Sequence, residues 1–300
     1  MSYVKTRDGT DIYVKDWDGG GRPVVLLHGW PLSSDSWDPQ AMALAEAGFH
    51  VIAYDRRGFG RSAQPWNGYD YDTLSDDLAD VMEGTDATDD VTLIGFSMGG
   101  GEVARYMSRH GGKGVTAAAL ISSVVPYMLN TNDNPDGVPQ EKLEEIAAGI
   151  KEDRAKFFAG FFKDFFGVGM LSHPVSDETL NWAWRLAMQA SLRSTLECAK
   201  SFGFTDFRSD LAAFKVPTLV LHGTADATVP IDATGRAAAV GIANAQLVEY
   251  DGAPHGLFAS ESDRLTRDLL IFLGDSTKRL NTPRNESFVA QPGAETLEAR

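Results

Sequence analysis

Val91-Thr92-Leu93-Ile94-Gly95-Phe96-Ser97-Met98-Gly99-Gly100-Gly101 is the stretch on which the reading of this chain turns. A short apolar run leads into Gly95-Phe96-Ser97-Met98-Gly99, and a helix-like pattern, Glu102 to His110, follows directly. The order is strand, tight turn, helix, with a serine at the apex. A residue at so sharp a turn tends to have strained backbone angles. The flanking glycines let strand and helix approach each other, which holds the hydroxyl out at a sheet edge. Ser97 is therefore a candidate nucleophile, and the rest of the chain must supply a base and an acid. A glycine-rich loop could instead cradle a phosphate at the helix N-terminus. The chain has no Gly-x-x-x-x-Gly-Lys-Ser/Thr pattern, and Leu27-His28-Gly29-Trp30-Pro31 is not a dinucleotide fingerprint.

Outward from this turn, short apolar runs recur. Val24 to Leu27, Val51 to Tyr54, Ala117 to Ile121, Thr218 to Leu221 and Gln246 to Val248 read as strands buried on both faces of a parallel sheet. Helical patterns separate or follow them at Asp38–Ala47, Asp72–Met82, Glu102–His110, Asp232–Val240 and Ser262–Leu273. Val4 to Thr6 and Asp11 to Trp17 read as a hairpin around Asp8-Gly9. The alternation breaks between Pro126 and Asp210. There Glu141–Gly149, Lys151–Phe158 and Asp177–Lys200 read as helices carrying Phe157, Phe158, Phe161, Phe162, Phe165, Phe166, Trp182 and Trp184. In this setting the serine turn resembles the nucleophile elbow of α/β-hydrolases. The fold expected is α/β, an α/β-hydrolase fold: a mostly parallel sheet, helices on both faces and an inserted helical cap. Residues 1–125 and 210–274 would form the core and 126–209 the cap, over the carboxyl edge of the sheet where ligands bind. Residues 275–300 lack a hydrophobic pattern and read as a disordered tail.

The chain order on such a fold is nucleophile, acid, histidine, each after a strand. Of the six histidines, His255 fits, in Asp251-Gly252-Ala253-Pro254-His255-Gly256 after the last strand. His28 precedes the serine and reads as a shaper of its own loop. His50, His110 and His173 lie in the wrong place, and His222, at a strand end, reads as structural. The acid should follow the strand at Thr218. Asp226 in His222-Gly223-Thr224-Ala225-Asp226 is the choice, over Asp232, which would cap the next helix, and Asp251, too near His255 in its own loop. Acyl transfer also needs two N–H donors for the oxyanion. Met98, next after the serine, and Trp30, after the first buried strand, are the candidates; Pro31 has no N–H to give.

Composition narrows the partners. The 300 residues carry a formal net charge of −15, which argues against nucleic acid and anionic membranes. The lone cysteine, Cys198, can form no internal disulfide and reads as a small buried apolar residue. No His/Cys/Asp cluster has metal-ligand spacing, no haem-attachment pattern occurs, and no apolar run approaches a membrane span. The expectation is a soluble cytoplasmic protein with no cofactor and no metal.

His28-Gly29-Trp30-Pro31, Tyr54-Asp55-Arg56-Arg57-Gly58-Phe59-Gly60-Arg61-Ser62, Gly95-Phe96-Ser97-Met98-Gly99-Gly100-Gly101 and Ala253-Pro254-His255-Gly256 together resemble the bacterial arylesterase and cofactor-free haloperoxidase (perhydrolase) family. Asp70-Tyr71-Asp72-Thr73 and Thr205-Asp206-Phe207-Arg208 add to the likeness, which spans about Met1 to Leu273. The resemblance implies a Ser97–Asp226–His255 triad with oxyanion donors at Trp30 and Met98. It implies hydrolysis of small carboxylic esters, with peracid formation from an acid and hydrogen peroxide in many members. Lactam or lactone opening stays open on the same triad, as does a homo-oligomer. A non-catalytic ligand-binding protein on the same scaffold is the reading from another class. Proline at position 31 is a candidate determinant of the choice between peroxide and water; a proline that merely shapes the turn is the plain alternative. The arginine-rich stretch from Asp55 to Ser62 reads as a tight turn stitched by arginine hydrogen bonds.

Overall fold

The computed structural model of the chain describes residues 2–280, with side chains described through 274. The hairpin at Asp8-Gly9 forms, with β1 (Ser2–Lys5) antiparallel to β2 (Asp11–Trp17). Strands β3 (Pro23–Leu27), β4 (His50–Tyr54), β5 (Val91–Phe96), β6 (Val115–Ile121), β7 (Thr218–Gly223) and β8 (Ala245–Tyr250) complete one sheet. Its order is β1-β2-β4-β3-β5-β6-β7-β8. β2 meets β4 antiparallel, and every pairing beyond it is parallel. The central strands are the apolar runs of the sequence, and all of β5 is buried, as a strand covered on both faces must be.

The chain leaves β3 for β4 on one side and returns to β5 on the other. The reversal opens a crevice between the carboxyl ends of β3 and β5, the usual place for a ligand in an open α/β sheet. The loop after β3 carries Trp30 and the turn after β5 carries Ser97, so topology alone makes them neighbours.

Helices α1 (Asp38–Glu46), α2 (Tyr71–Gly84) and α3 (Met98–Arg109) follow β3, β4 and β5 in turn. Asp70 starts α2 by accepting the Thr73 N–H, which pairs one of the donors left free at a helix start. Between β6 and β7 lie α4 (Gln140–Phe165), α5 (Asp177–Gln189) and α6 (Leu192–Phe204). Two boundaries differ from the sequence reading. α4 breaks at Asp153, where φ is −154° and ψ 91°, and continues to Phe165 instead of stopping near Phe158. The Asp153 carboxylate accepts the Lys156 N–H at 2.9 Å and so restarts the helix. Phe158, Phe162 and Phe165 then recur at helical spacing and are all buried. The single helix expected over Asp177–Lys200 is two, because Ser191 is extended and accepts the Ser194 N–H.

Beyond β7, Asp232–Arg236 is a π-helical turn leading into the short α7 (Ala237–Gly241). After β8 come α8 (Leu257–Ser260) and α9 (Ser262–Leu280). α9 runs past Gly274, so the tail expected from residue 275 is still helix to Leu280; residues 281–300 lie outside the described residues. Among the described residues no helix is long and apolar enough to cross a membrane.

The turn after β4 is stitched by arginines. Arg61 donates to Asp55 Oδ2 from its backbone N–H and from Nε, both at 2.8 Å. Arg57 grips Asp77 through two bonds of 2.5 Å. Cys198 on α6 is fully buried, and burial pushes its thiol up to about 12 despite the nearby Arg56 charge. We expect it to resist thiol reagents such as a disulfide-exchange dye near pH 7.5 in the native protein and to react fully in denaturant. Rapid labelling without unfolding would contradict this burial.

Candidate active site

The elbow begins with the close packing of β5 on α3. A methyl group at Gly95 would stand 2.6 Å from the Gly100 nitrogen, and one at Gly99 would stand 2.5 Å from the Leu27 carbonyl oxygen. Only hydrogen fits at either place. Ser97 lies between them with φ 54° and ψ −118°, a conformation that costs a side-chain-bearing residue about 1–3 kcal/mol. Its N–H is held by the Ile121 carbonyl at 2.8 Å and its carbonyl by the Gly100 N–H at 3.0 Å. The strain is thus sustained by neighbouring backbone, and it points Oγ away from the sheet and into the cleft.

The loop after β8 brings His255 to that hydroxyl. His255 Nε2 is 3.0 Å from Ser97 Oγ, and His255 Nδ1 is 2.6 Å from Asp226 Oδ2. The carboxylate can only accept, so Nδ1 carries the hydrogen and Nε2 is the free lone pair facing the serine. The His255 and Asp226 side chains are fully buried. Phe165 of α4 meets the His255 ring edge-on with centroids 4.8 Å apart, and Phe96 lies 5.1 Å away. Those rings keep bulk water off the imidazole. Asp226 follows β7, as the sequence places it. Its Oδ1 accepts the N–H groups of Thr228 at 2.9 Å and Val229 at 2.8 Å. Burial works to raise this carboxyl, but the His255 charge and the bonds from His222 and His255 outweigh it and hold it well below the usual carboxylate range. The rivals point elsewhere. Asp232 pairs with Arg236 at 2.7 Å instead of capping a helix, and Asp251 faces Thr224 at 3.3 Å.

The two candidate oxyanion donors flank the serine. Met98 N–H opens α3, where the unpaired N–H groups and the helix dipole favour negative charge. Trp30 follows Gly29, and a methyl group at Gly29 would meet the Phe96 ring at 2.6 Å and Ser97 Cβ at 3.0 Å. That glycine lets the two loops touch. Neither the Trp30 nor the Met98 N–H has a partner among the turn and loop backbone bonds of the described residues. The Trp30–Pro31 peptide is cis. The Trp30 indole donates to the Thr195 carbonyl at 3.0 Å and packs on Phe158, Phe161 and Phe202.

A buried network fixes this loop, and the sequence reading did not find it. Arg56, in the turn after β4, bonds Glu102 of α3 through Nε at 2.6 Å, and both side chains are 1% exposed. Tyr54 donates to the other Glu102 oxygen at 2.6 Å. Burial raises the Glu102 carboxyl, against the pull of Arg56 and Tyr54. Arg56 Nη2 then donates to the His28 carbonyl at 2.6 Å. The Arg56 backbone N–H donates to His28 Nε2 at 3.0 Å, which leaves the ring hydrogen on Nδ1, bonded to the Gly29 carbonyl at 2.9 Å. Burial, then the Arg56 charge, hold the His28 pKa well below its ordinary value. His28 is thus a neutral strut of the Trp30 loop. The signal in the sequence was Glu102 itself, a carboxylate in a run of glycines, valine and alanine that can only face the sheet edge.

Above Ser97 is a cleft of about 640 Å³. Trp30, Val124, Met128, Leu143, Phe157 and Phe161 give it apolar walls. Of the phenylalanines on α4 and just after it, Phe157 and Phe161 line it, while Phe158, Phe162, Phe165 and Phe166 are buried core. A larger hollow, about 850 Å³, lies between β8 and α9, far from the serine.

Residues 22–262 match the family model described as the alpha/beta hydrolase fold. A non-heme chloroperoxidase of Kitasatospora aureofaciens is 44% identical over 275 residues, covering 91% of this chain and 99% of that protein. A bifunctional esterase/perhydrolase of Acinetobacter calcoaceticus is 41% identical over 279 residues, with the same two coverages, 91% and 99%. Among solved structures, a bromoperoxidase from Bacillus anthracis superposes with a TM-score of 0.88 at 43% identity, covering 91% of this chain and 99% of that one. With an eight-stranded, mostly parallel sheet and relatives matched along almost their whole length, the chain belongs to the α/β-hydrolase fold family and, within it, to the non-haem haloperoxidase and perhydrolase group.

Proposed function

We propose that this protein is a serine hydrolase of small carboxylic and aryl esters that also passes the acyl group to hydrogen peroxide. The observation that carries the proposal is the chain of contacts from Ser97 Oγ through His255 to Asp226, at 3.0 and 2.6 Å, at the floor of an apolar cleft. A serine hydroxyl is a weak nucleophile until a base takes its proton. His255 Nε2 receives that proton as Oγ bonds to the acyl carbon, and Asp226 stabilises the imidazolium that results. The carbonyl oxygen, now negative, sits between the Met98 and Trp30 N–H groups. The tetrahedral centre collapses, the C–O bond to the leaving group breaks, and His255 returns the proton to the departing oxygen. Water or hydrogen peroxide then attacks the Ser97 ester, with His255 again the base. Water releases the acid and peroxide releases the peracid. Peracid leaving the cleft oxidises halide in solution, as the names of the relatives suggest for those proteins.

The choice between water and peroxide falls to the loop opposite the serine. Proline fixes its own φ, and in this proposal the ring sets the loop so that the Trp30 carbonyl faces the acyl group. That carbonyl is the acceptor we assign to the second hydrogen of peroxide. The test pairs phenyl acetate hydrolysis with peracetate formation from acetate and hydrogen peroxide. Wild type should catalyse both, and Pro31→Leu should lower the perhydrolysis-to-hydrolysis ratio roughly tenfold, the worth of one hydrogen bond. An unchanged ratio returns Pro31 to the role of a turn former, and absence of both reactions defeats the proposal.

A further inference from the structure

Asp226 has a second imidazole. His222 is the penultimate residue of β7, its side chain is fully buried, and its Nε2 lies 2.9 Å from the Val229 carbonyl oxygen and 3.2 Å from Asp226 Oδ2. Both neighbours are acceptors only, so Nε2 carries the hydrogen and shares it between them. The Oδ2 atom it approaches is the one that accepts from His255 at 2.6 Å. His222 Nδ1 is buried and has no hydrogen-bond partner among the described residues, and Gly235 closes over it so tightly that a methyl group there would stand 2.7 Å away. Capping the Val229 carbonyl does not by itself require a ring wedged against the carboxylate. The arrangement explains itself if the carboxylate is what the ring serves.

Resting on the triad reading above, we propose that His222 is a positioning residue that acts through Asp226 to set how strongly the carboxylate holds a proton on His255. A hydrogen donated to Oδ2 withdraws charge from the oxygen facing His255 Nδ1. The carboxylate then stabilises the His255 imidazolium less, and Nε2 stays available as a base to lower pH. The same contact fixes the carboxylate plane, because Oδ1 is already held by the Thr228 and Val229 N–H groups. Among the described residues, the other charges near this cluster come from β8 and α4. Glu249 of β8 is paired with His222 in the strand register, but it is bonded to Arg236, which also holds Asp232. α4 brings the uncharged Phe165 to His255, and to the cleft it brings Lys142, Glu145, Glu152, Asp153, Lys156 and Asp164. β5 brings Phe96 and, at its end, Ser97.

The experiment is the pH profile of kcat/KM for phenyl acetate in three variants. His222→Leu removes the donor, His222→Asn stays polar but ends short of Asp226, and His222→Gln can still present an N–H there. We expect the acidic limb to move up by roughly half to one pH unit in Leu and Asn, a three- to tenfold loss below the limb, and to stay in place in Gln. Should the Leu variant fail to fold, the Asn variant carries the same expectation. A limb unmoved in folded Asn or Leu protein, with only thermal stability reduced, overturns the proposal. His255→Ala is measured alongside. If it loses turnover while the limb stays fixed, the His222 assignment alone fails; if it retains turnover, the triad reading fails and this proposal with it.

Discussion

Ser97→Ala lowers kcat for phenyl acetate by roughly four to six orders of magnitude, the range expected when the nucleophile of an interlocked triad is removed. The loss is this large because no other hydroxyl is in hydrogen-bond contact with His255 Nε2 among the described residues. What remains is the contribution of the oxyanion donors and of binding. The protein should stay folded with nearly unchanged stability, because alanine at φ 54° meets the same backbone strain as serine. His255→Ala falls in the same range, and Asp226→Asn loses less, since an orienting group is removed and the base is kept. Steady-state rates together with circular dichroism measure all three. A Ser97→Ala enzyme within tenfold of wild type would remove the nucleophile from the account.

Arg56→Met should be the most damaging change to stability. It leaves the Glu102 carboxylate 1% exposed with, among the described residues, only the Tyr54 hydroxyl bonded to it. Breaking one side of a buried ion pair costs about 3–5 kcal/mol, which for a domain of this size lowers Tm by on the order of 10 °C. The double change Arg56→Met with Glu102→Gln should recover much of that, because the stranded charge is then gone. Activity gives a second readout. Arg56 also holds the His28 carbonyl, two residues before Trp30, so the recovered double variant should keep its fold while losing kcat more than KM. Thermal unfolding of both variants decides the first point. An Arg56→Met protein with wild-type Tm would show that Glu102 had found another partner or lost its charge.

The strands and the three residues of the serine cluster were legible in the sequence because each signal is local. An apolar run of four or five residues is a buried strand wherever it falls, and the residues after β5, β7 and β8 land on one edge by topology. The breaks in the helices over the cleft were less legible. Asp153 and Ser191 each restart a helix by taking a backbone N–H, yet the same residue types sit uncommitted elsewhere in these patterns. The Arg56–Glu102 pair was hidden for another reason. One member stands in the turn after β4 and the other on α3, and an arginine-rich turn that reads as stitched within itself does not show that Arg56 reaches a carboxylate on the next helix. His222 was placed correctly at a strand end, but its contact with Asp226 depends on how the intervening loop folds back.

Everything in the mechanism depends on a covalent intermediate on one serine. Intact-protein and peptide mass spectrometry after treatment with a serine-directed aryl phosphonate measures this directly. One adduct per chain is expected, on the peptide bearing Ser97, formed in step with the loss of phenyl acetate hydrolysis and absent from Ser97→Ala. An adduct on another residue, or full loss of activity with Ser97 unmodified, would contradict it.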